Sequence, residues 1–93
     1  MNWKESIVEK PDVKSDIQQE YIFNYIGDKT IKEINQFCGC TSKVFANNIL
    51  TVKYTPKIQH HLPGERQSYQ KQLEVIYTDD SKELLTIKGF VVK

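Results

Sequence analysis

Two cysteines stand one residue apart in this 93-residue chain, at Cys38 and Cys40, and their thiols allow more kinds of chemistry than any other side chains present. A disulfide between them would close a very small, strained ring, and strained disulfides are labile and redox-active. As thiolates they would supply half of a zinc site, with His60 and His61 as the available partners. Structural zinc sites, however, usually space paired ligands by two to four residues, and adjacent histidines point in opposite directions.

The favoured interpretation of the cysteine cluster is structural. Free cysteine packs as a small buried hydrophobe, and Gly39 would permit a bulge. A nucleophilic Cys-His enzyme would also need a third group to orient its base, together with an oxyanion hole, and the sequence indicates neither. We therefore predict no enzyme, no catalytic residue, no cofactor and no metal, and we treat Cys38-Gly39-Cys40-Thr41 as a motif of the fold.

Two further clusters have a chemical and a structural interpretation. Asp79 and Asp80 offer too few oxygen ligands for calcium, so a solvated turn is favoured. Tyr21, Phe23 and Tyr25 alternate along one segment and would suit base stacking, but that segment has no interleaved lysine or arginine. These rings are therefore predicted to lie in the core.

The charge and hydropathy of the chain argue against a nucleic-acid-binding, membrane-spanning or exported protein. Thirteen basic and twelve acidic side chains give a net charge of +1, so the basic surface typical of nucleic-acid binding is missing. No run approaches the length of a membrane span, and the polar opening residues do not resemble a signal peptide. We expect no membrane and no nucleic-acid partner.

Alternating apolar and polar residues predict most of the strands. The alternation covers residues 17–26, 49–55, 69–78 and 84–92, with turn signals at Gly27-Asp28, Asn47-Asn48 and Asp79-Asp80-Ser81. A short strand is expected near residues 3–8, with Trp3, Glu5 and Ile7 on one side. Residues 9–16 are charged, contain Pro11 and are predicted to be a connection. Residues 57–68 form the longest connection.

The segment 29–38 is ambiguous, because Ile31, Ile34 and Phe37 recur at helical spacing. Periodicity alone favours a short helix, but two helical turns are marginal without strong packing, so the residues alone leave open a strand with a bulge at residues 30–37. The whole chain, residues 1–93, is then one domain. Its fold class is all-β, and the predicted architecture is an antiparallel sandwich of about seven strands.

The order of these pieces resembles a bacterial and phage family of small immunoglobulin-like domains of unknown function with a Cys-Gly-Cys-Thr motif. The resemblance rests on the aromatic run at residues 21–28, on Cys38-Gly39-Cys40-Thr41, on the Pro63-Gly64-Glu65 step and on the closing run at residues 85–91. It spans roughly residues 16–92, after an N-terminal strand and connection at residues 1–15. It implies an immunoglobulin-like sandwich related to the sperm-protein and cilia-associated domains, and it supports the strand interpretation of residues 30–37.

The function expected from this resemblance is non-enzymatic protein–protein interaction through sheet edges or end loops. Copies without a leader resemble those of phage genomes, which points to a virion-associated or structural accessory protein. The resemblance thus implies a location in the cytoplasm of the host cell, in the virion, or in both. The expected partners are other proteins, including virion proteins or further copies of the chain. Two alternatives stay open: a thiol or metal protein that uses Cys38 and Cys40, and an intracellular inhibitor that binds a host protein.

Overall fold

A computed structural model describes residues 2–36, 41–59 and 64–93. These residues form seven strands: β1 (Ile7–Lys14), β2 (Gln19–Asn24), β3 (Ile31–Gln36), β4 (Thr41–Ala46), β5 (Ile49–Tyr54), β6 (Arg66–Tyr77) and β7 (Lys82–Val92). None of the described residues lies in a helix, so none of them belongs to a helix that could cross a membrane.

The strands form two sheets that pack face to face. One has the order β1-β7-β6-β3 and the other has the order β2-β5-β4. All pairings are antiparallel except that of β1 with β7, which is parallel. The prediction of an all-β sandwich with about seven strands is confirmed.

Alternation along the strands supplies the core between the sheets, as predicted. The three-stranded sheet contributes Tyr21, Phe23, Leu50 and Val52, and the four-stranded sheet contributes Leu73, Val75, Tyr77, Leu85 and Ile87, all of them almost completely buried. Burial of these side chains is the main favourable term in folding.

Strand β3 resolves the ambiguous segment. Its residues pair with β6 from Ile31 to Gln36, and the register shifts between Ile31 and Glu33, which is the predicted bulge. Residues 37–40 lie outside the described part of the chain. Pairing with a long neighbouring strand stabilises an extended conformation in a segment whose helix would have been too short.

The prediction of a connection at residues 9–16 is wrong. Strand β1 runs through Pro11 to Lys14 alongside β7, and its register shifts between Lys10 and Val13. Proline is tolerated here because β1 is an edge strand with a bulge at that point. Val13 is buried against the core, so burial outweighs the polar composition of the segment.

Residues 2–6 precede β1 and are not part of that strand. The prediction that Trp3, Glu5 and Ile7 lie on one side is wrong. Trp3 is buried between the sheets, whereas Ile7 is 52% exposed. The Trp3 indole Nε1 donates a hydrogen bond of 2.8 Å to the hydroxyl of Tyr77, and Trp3 bridges to Tyr25 beyond the end of β2. This segment therefore closes one end of the sandwich.

Candidate functional site

Most of the predicted motif lies outside the described residues. That applies to Cys38, Gly39 and Cys40, and also to His60 and His61. Thr41 begins β4 and is buried, and its carbonyl oxygen accepts a hydrogen bond of 2.7 Å from Nε2 of Gln36. The last residue of β3, in one sheet, is thereby tied to the first residue of β4, in the other.

The acidic pair serves the turn between β6 and β7. One carboxylate oxygen of Asp79 accepts hydrogen bonds from the backbone N–H and the hydroxyl of Ser81, and the other lies 3.1 Å from the ammonium group of Lys29. These hydrogen bonds, with a smaller contribution from Lys29, lower the pKa of Asp79 to about 2. Asp80 has a φ of 68° and pairs with Lys32 at 3.7 Å. Within residues 2–36, 41–59 and 64–93, no group of three His, Cys, Asp or Glu side chains could hold a metal ion.

The aromatic face of β2 lies in the core. Tyr21 and Phe23 are inaccessible to solvent and Tyr25 is nearly so. The hydroxyl of Tyr21 meets that of Tyr69 at 2.6 Å, and the hydroxyl of Tyr25 donates to the carbonyl oxygen of Lys29. A stacking platform needs open ring faces, and these rings have none.

The four sheet edges differ in how well they are protected against pairing with another strand. The edge of β1 is interrupted by Pro11 and by its register shift. The edge of β3 carries a bulge with the charged Lys32 and Glu33 beside it. Proline, bulges and charges at an edge discourage pairing with another strand.

The edge of β2 is covered at its Asn24 end by the N-terminal segment. The backbone N–H of Lys4 donates to the carbonyl oxygen of Asn24, and the carboxylate of Glu5 accepts from the N–H of Asn24 at 2.6 Å. Both outward backbone groups at this end of β2 are therefore satisfied within the chain.

Strand β4 is the edge with the least protection of this kind. Its residues 41–46 contain no proline and no register shift, and Lys43 is the one charged side chain among them. The turn after it has positive φ at Asn47 and Asn48, as expected for a two-residue hairpin that starts from a hydrogen-bonded pair, here Ala46 with Ile49.

The backbone N–H and C=O groups of successive β4 residues therefore point in turn towards β5 and towards the open edge. Hydrogen-bonded pairs recur at every second residue of an antiparallel ladder, so the N–H and C=O groups of Lys43 and Phe45 point away from β5. No described residue forms a hydrogen bond with those groups. Two residues of β4 thus present donors and acceptors to an incoming strand.

An apolar groove of about 530 Å³ lies beside this edge, between β3 and β4. Its apolar lining comes from Tyr25, Ile31, Ile34, Phe45 and Leu50, and its charged lining comes from Lys29, Glu33 and Lys43. The ring of Phe45 is 38% exposed and makes edge contacts with Trp3 at 6.1 Å and Tyr25 at 6.2 Å. The groove is therefore the place where the core comes nearest to solvent along an open edge.

The outer face of the same sheet carries a row of side chains in register. Ile22 of β2, Thr51 of β5 and Val44 of β4 are directly paired across the three strands. Ile22 is 40% exposed and Val44 is 62% exposed. The row runs to the β4 edge, where Val44 is its outermost side chain.

Sequence reasoning gave no role to Val44 and Phe45. One signal for the strand that contains them was present, because an Asn-Asn turn before a strand implies a second strand ahead of the turn. Comparisons of the chain with protein-family models, with curated proteins and with solved structures give no match.

Proposed function

We propose that the chain is a non-enzymatic, immunoglobulin-like protein-interaction module that binds other proteins through the β4 edge and the adjacent groove. We place it as a virion-associated or structural accessory protein of a phage, following the family resemblance of the sequence. The observation that carries the binding role is the contrast among the four sheet edges. The edges of β1 and β3 are interrupted and that of β2 is covered at its Asn24 end, while β4 presents free backbone groups beside an apolar groove.

The strand order supports the immunoglobulin-like part of this proposal. Constant-type immunoglobulin sandwiches place their second, fifth and fourth strands in one sheet and their third, sixth and seventh strands in the other. The sheet β2-β5-β4 and the run β7-β6-β3 have these orders. The first strand differs, since β1 lies beside β7 in the four-stranded sheet.

Strand addition is the binding mode that fits this surface. In that mode an extended segment of the partner pairs with the free backbone groups, which supplies affinity, and its alternate side chains enter pockets, which supplies specificity. At β4 the backbone groups belong to Lys43 and Phe45, and the pocket is the groove between β3 and β4.

Site-specific photo-crosslinking tests the proposal. A benzophenone amino acid is placed at Val44 in one variant and at Leu84 in the matched control, which is 51% exposed on β7 of the other sheet. Both variants are produced in the cells that make the protein, irradiated and analysed by mass spectrometry. We expect a crosslinked protein of different sequence from position 44 and none from position 84. Equal crosslinking from both positions, or none from position 44, would contradict the proposal.

A further inference from the structure

We infer that a second copy of this chain is a partner of the β4 edge, and that two copies pair there antiparallel about a twofold axis through Val44. The inference rests on the interaction role proposed above and names an occupant for that surface. It follows from the backbone pattern of β4, from the identity of its side chains and from the position of the groove.

The backbone pattern fixes which registers form hydrogen bonds. In an antiparallel pair, outward-pointing residues of one strand must face outward-pointing residues of the other. Pairing Lys43 with Phe45 of the second copy, and Phe45 with Lys43 of the second copy, satisfies this condition twice and gives about four main-chain hydrogen bonds. Val44 then lies opposite Val44 of the second copy.

Side chains favour this register over its neighbours. A register centred on Lys43 sets two lysines directly opposite each other, which is destabilising. A register centred on Phe45 sets Lys43 against Asn47, which has positive φ and lies in the turn after β4. Centring on Val44 avoids both, and it places the aliphatic stem of Lys43 beside an aromatic ring.

The register also joins exposed apolar surface. The two valines form a non-hydrogen-bonded pair, in which cross-strand side chains come closest. The row Ile22-Thr51-Val44 then continues into the same row of the second copy, across a sheet of six strands. An exposed row that ends at the edge of the monomer becomes continuous in the dimer.

Both grooves are covered by the same contact. The groove opens between β3 and β4, on the side where the second copy's β4 would lie. Lys43 is the obstacle, because a charge on the inner side of an edge strand usually opposes pairing. Glu33 lines the same groove and supplies an opposite charge. The net charge of +1 per copy adds little repulsion.

A contact made by one six-residue strand is small. Interfaces below roughly 1,200 Å² belong to weak complexes, so we expect a dissociation constant on the order of 100 µM. The dimer should therefore be visible by sedimentation equilibrium between roughly 10 µM and 1 mM protein, measured with reductant to exclude cysteine crosslinks.

Charge substitutions at Val44 test the register. Val44→Lys and Val44→Glu each place like charges opposite each other at the axis, so each variant alone should associate about tenfold more weakly. An equimolar mixture of the two should recover dimerisation, since the charges are then opposite. Ile22→Lys is the matched control, because it changes the same row two strands away from the axis and should dimerise like the unmodified chain. Circular dichroism checks that each variant is folded.

The outcomes separate this inference from the proposed function. An unmodified chain that stays monomeric at roughly 1 mM, or a mixture that associates no better than its components, overturns the dimer. If position 44 still crosslinks to a different protein in that case, the interaction role stands without the dimer. If the dimer forms as expected and position 44 crosslinks only to a second copy, binding to other proteins at this edge is overturned and the dimer stands.

Discussion

The hydroxyl oxygens of Tyr21 and Tyr69 lie 2.6 Å apart and join the two sheets through the middle of the core. Each hydroxyl is the other's hydrogen-bond partner in a buried environment. Removing one leaves a buried polar group without that partner, which costs more than the bond itself contributes. The pair therefore acts as a buried polar link between the two sheets.

We predict that Tyr21→Phe and Tyr69→Phe each lower the free energy of unfolding by about 1–2 kcal/mol. The double variant should lose clearly less than the sum of the two, because the second substitution removes the group that the first left unpaired. Urea denaturation gives the four values of the cycle. Tyr54→Phe is the control, since the hydroxyl of Tyr54 forms no hydrogen bond to a described residue, and it should change stability little. Additive losses would mean that the link is not formed.

Stability should fall above a pH of about 10, the ordinary pKa of tyrosine. Burial raises the pKa of Tyr21, Tyr54, Tyr69 and Tyr77 above that value, and for Tyr77 the hydrogen bond to Glu83 raises it further. The folded chain then keeps protons that the unfolded chain releases, so raising the pH favours unfolding.

The measurement is the ultraviolet absorbance of tyrosinate, followed together with circular dichroism. We expect these four side chains to ionise as the fold is lost. Ionisation of these four tyrosines near a pH of about 10 with the sheet signal intact would contradict the described core.

Gly89→Ala should destabilise the contact between β1 and β7. A Cβ at this position would lie 2.0 Å from the carbonyl oxygen of Lys10 and 2.9 Å from the hydroxyl of Tyr69, so the backbone of β1 must shift. We expect a loss of about 1–3 kcal/mol, with faster amide hydrogen exchange concentrated in β1. Leu84→Ala on the exposed side of the same strand is the control. Protection of β1 that is unchanged in the Gly89 variant would show that β1 packs less closely than described.

The Asp79 carboxyl should titrate at a pH of about 2 in the folded chain, and Ser81→Ala should raise its pKa towards the ordinary value, because the hydroxyl of Ser81 is the largest cause of the shift. The lowered pKa favours folding above the unfolded pKa of about 3.9, and this contribution is lost as the pH falls towards about 2. Carboxyl NMR titration measures both values. A pKa of Asp79 that does not respond to Ser81→Ala would contradict the described turn.

Replacing Cys38 and Cys40 together by serine separates the two classes of function left open by the sequence. If the chain is an interaction module, crosslinking from position 44 should persist in the folded double variant. Loss of crosslinking with the fold retained would move the function to the thiols. Native mass spectrometry with and without reductant is the companion measurement, since a bound metal adds mass and a disulfide removes two protons.

Local patterns predicted the strands whose side chains alternate between core and solvent. Strands β5, β6 and β7 each bury every second side chain over most of their length. Apolar and polar residues therefore alternate in their sequences, and this pattern predicts a strand. Strand β4 buries only Thr41 of its six residues and shows no such alternation. It was therefore invisible to periodicity.

Two further features depend on strands that are distant in sequence. β1 is a strand because β7 lies beside it, and that partner comes more than sixty residues later. Which edge stays open depends on strand order, since the N-terminal segment covers the Asn24 end of β2 and nothing described covers Lys43 and Phe45 of β4. The candidate surface, which includes Val44 and Phe45, could be located only once that order was known.

The parallel pairing of β1 and β7 also determines how the fold responds to tension. If Ile7 and Val92 are pulled apart, the two strands are drawn in opposite directions along their own axes. The evenly spaced hydrogen bonds of the parallel ladder are then strained together, whereas a hairpin pulled at its open end loses its bonds one after another. The domain should accordingly resist extension along this direction far more strongly than its modest size suggests.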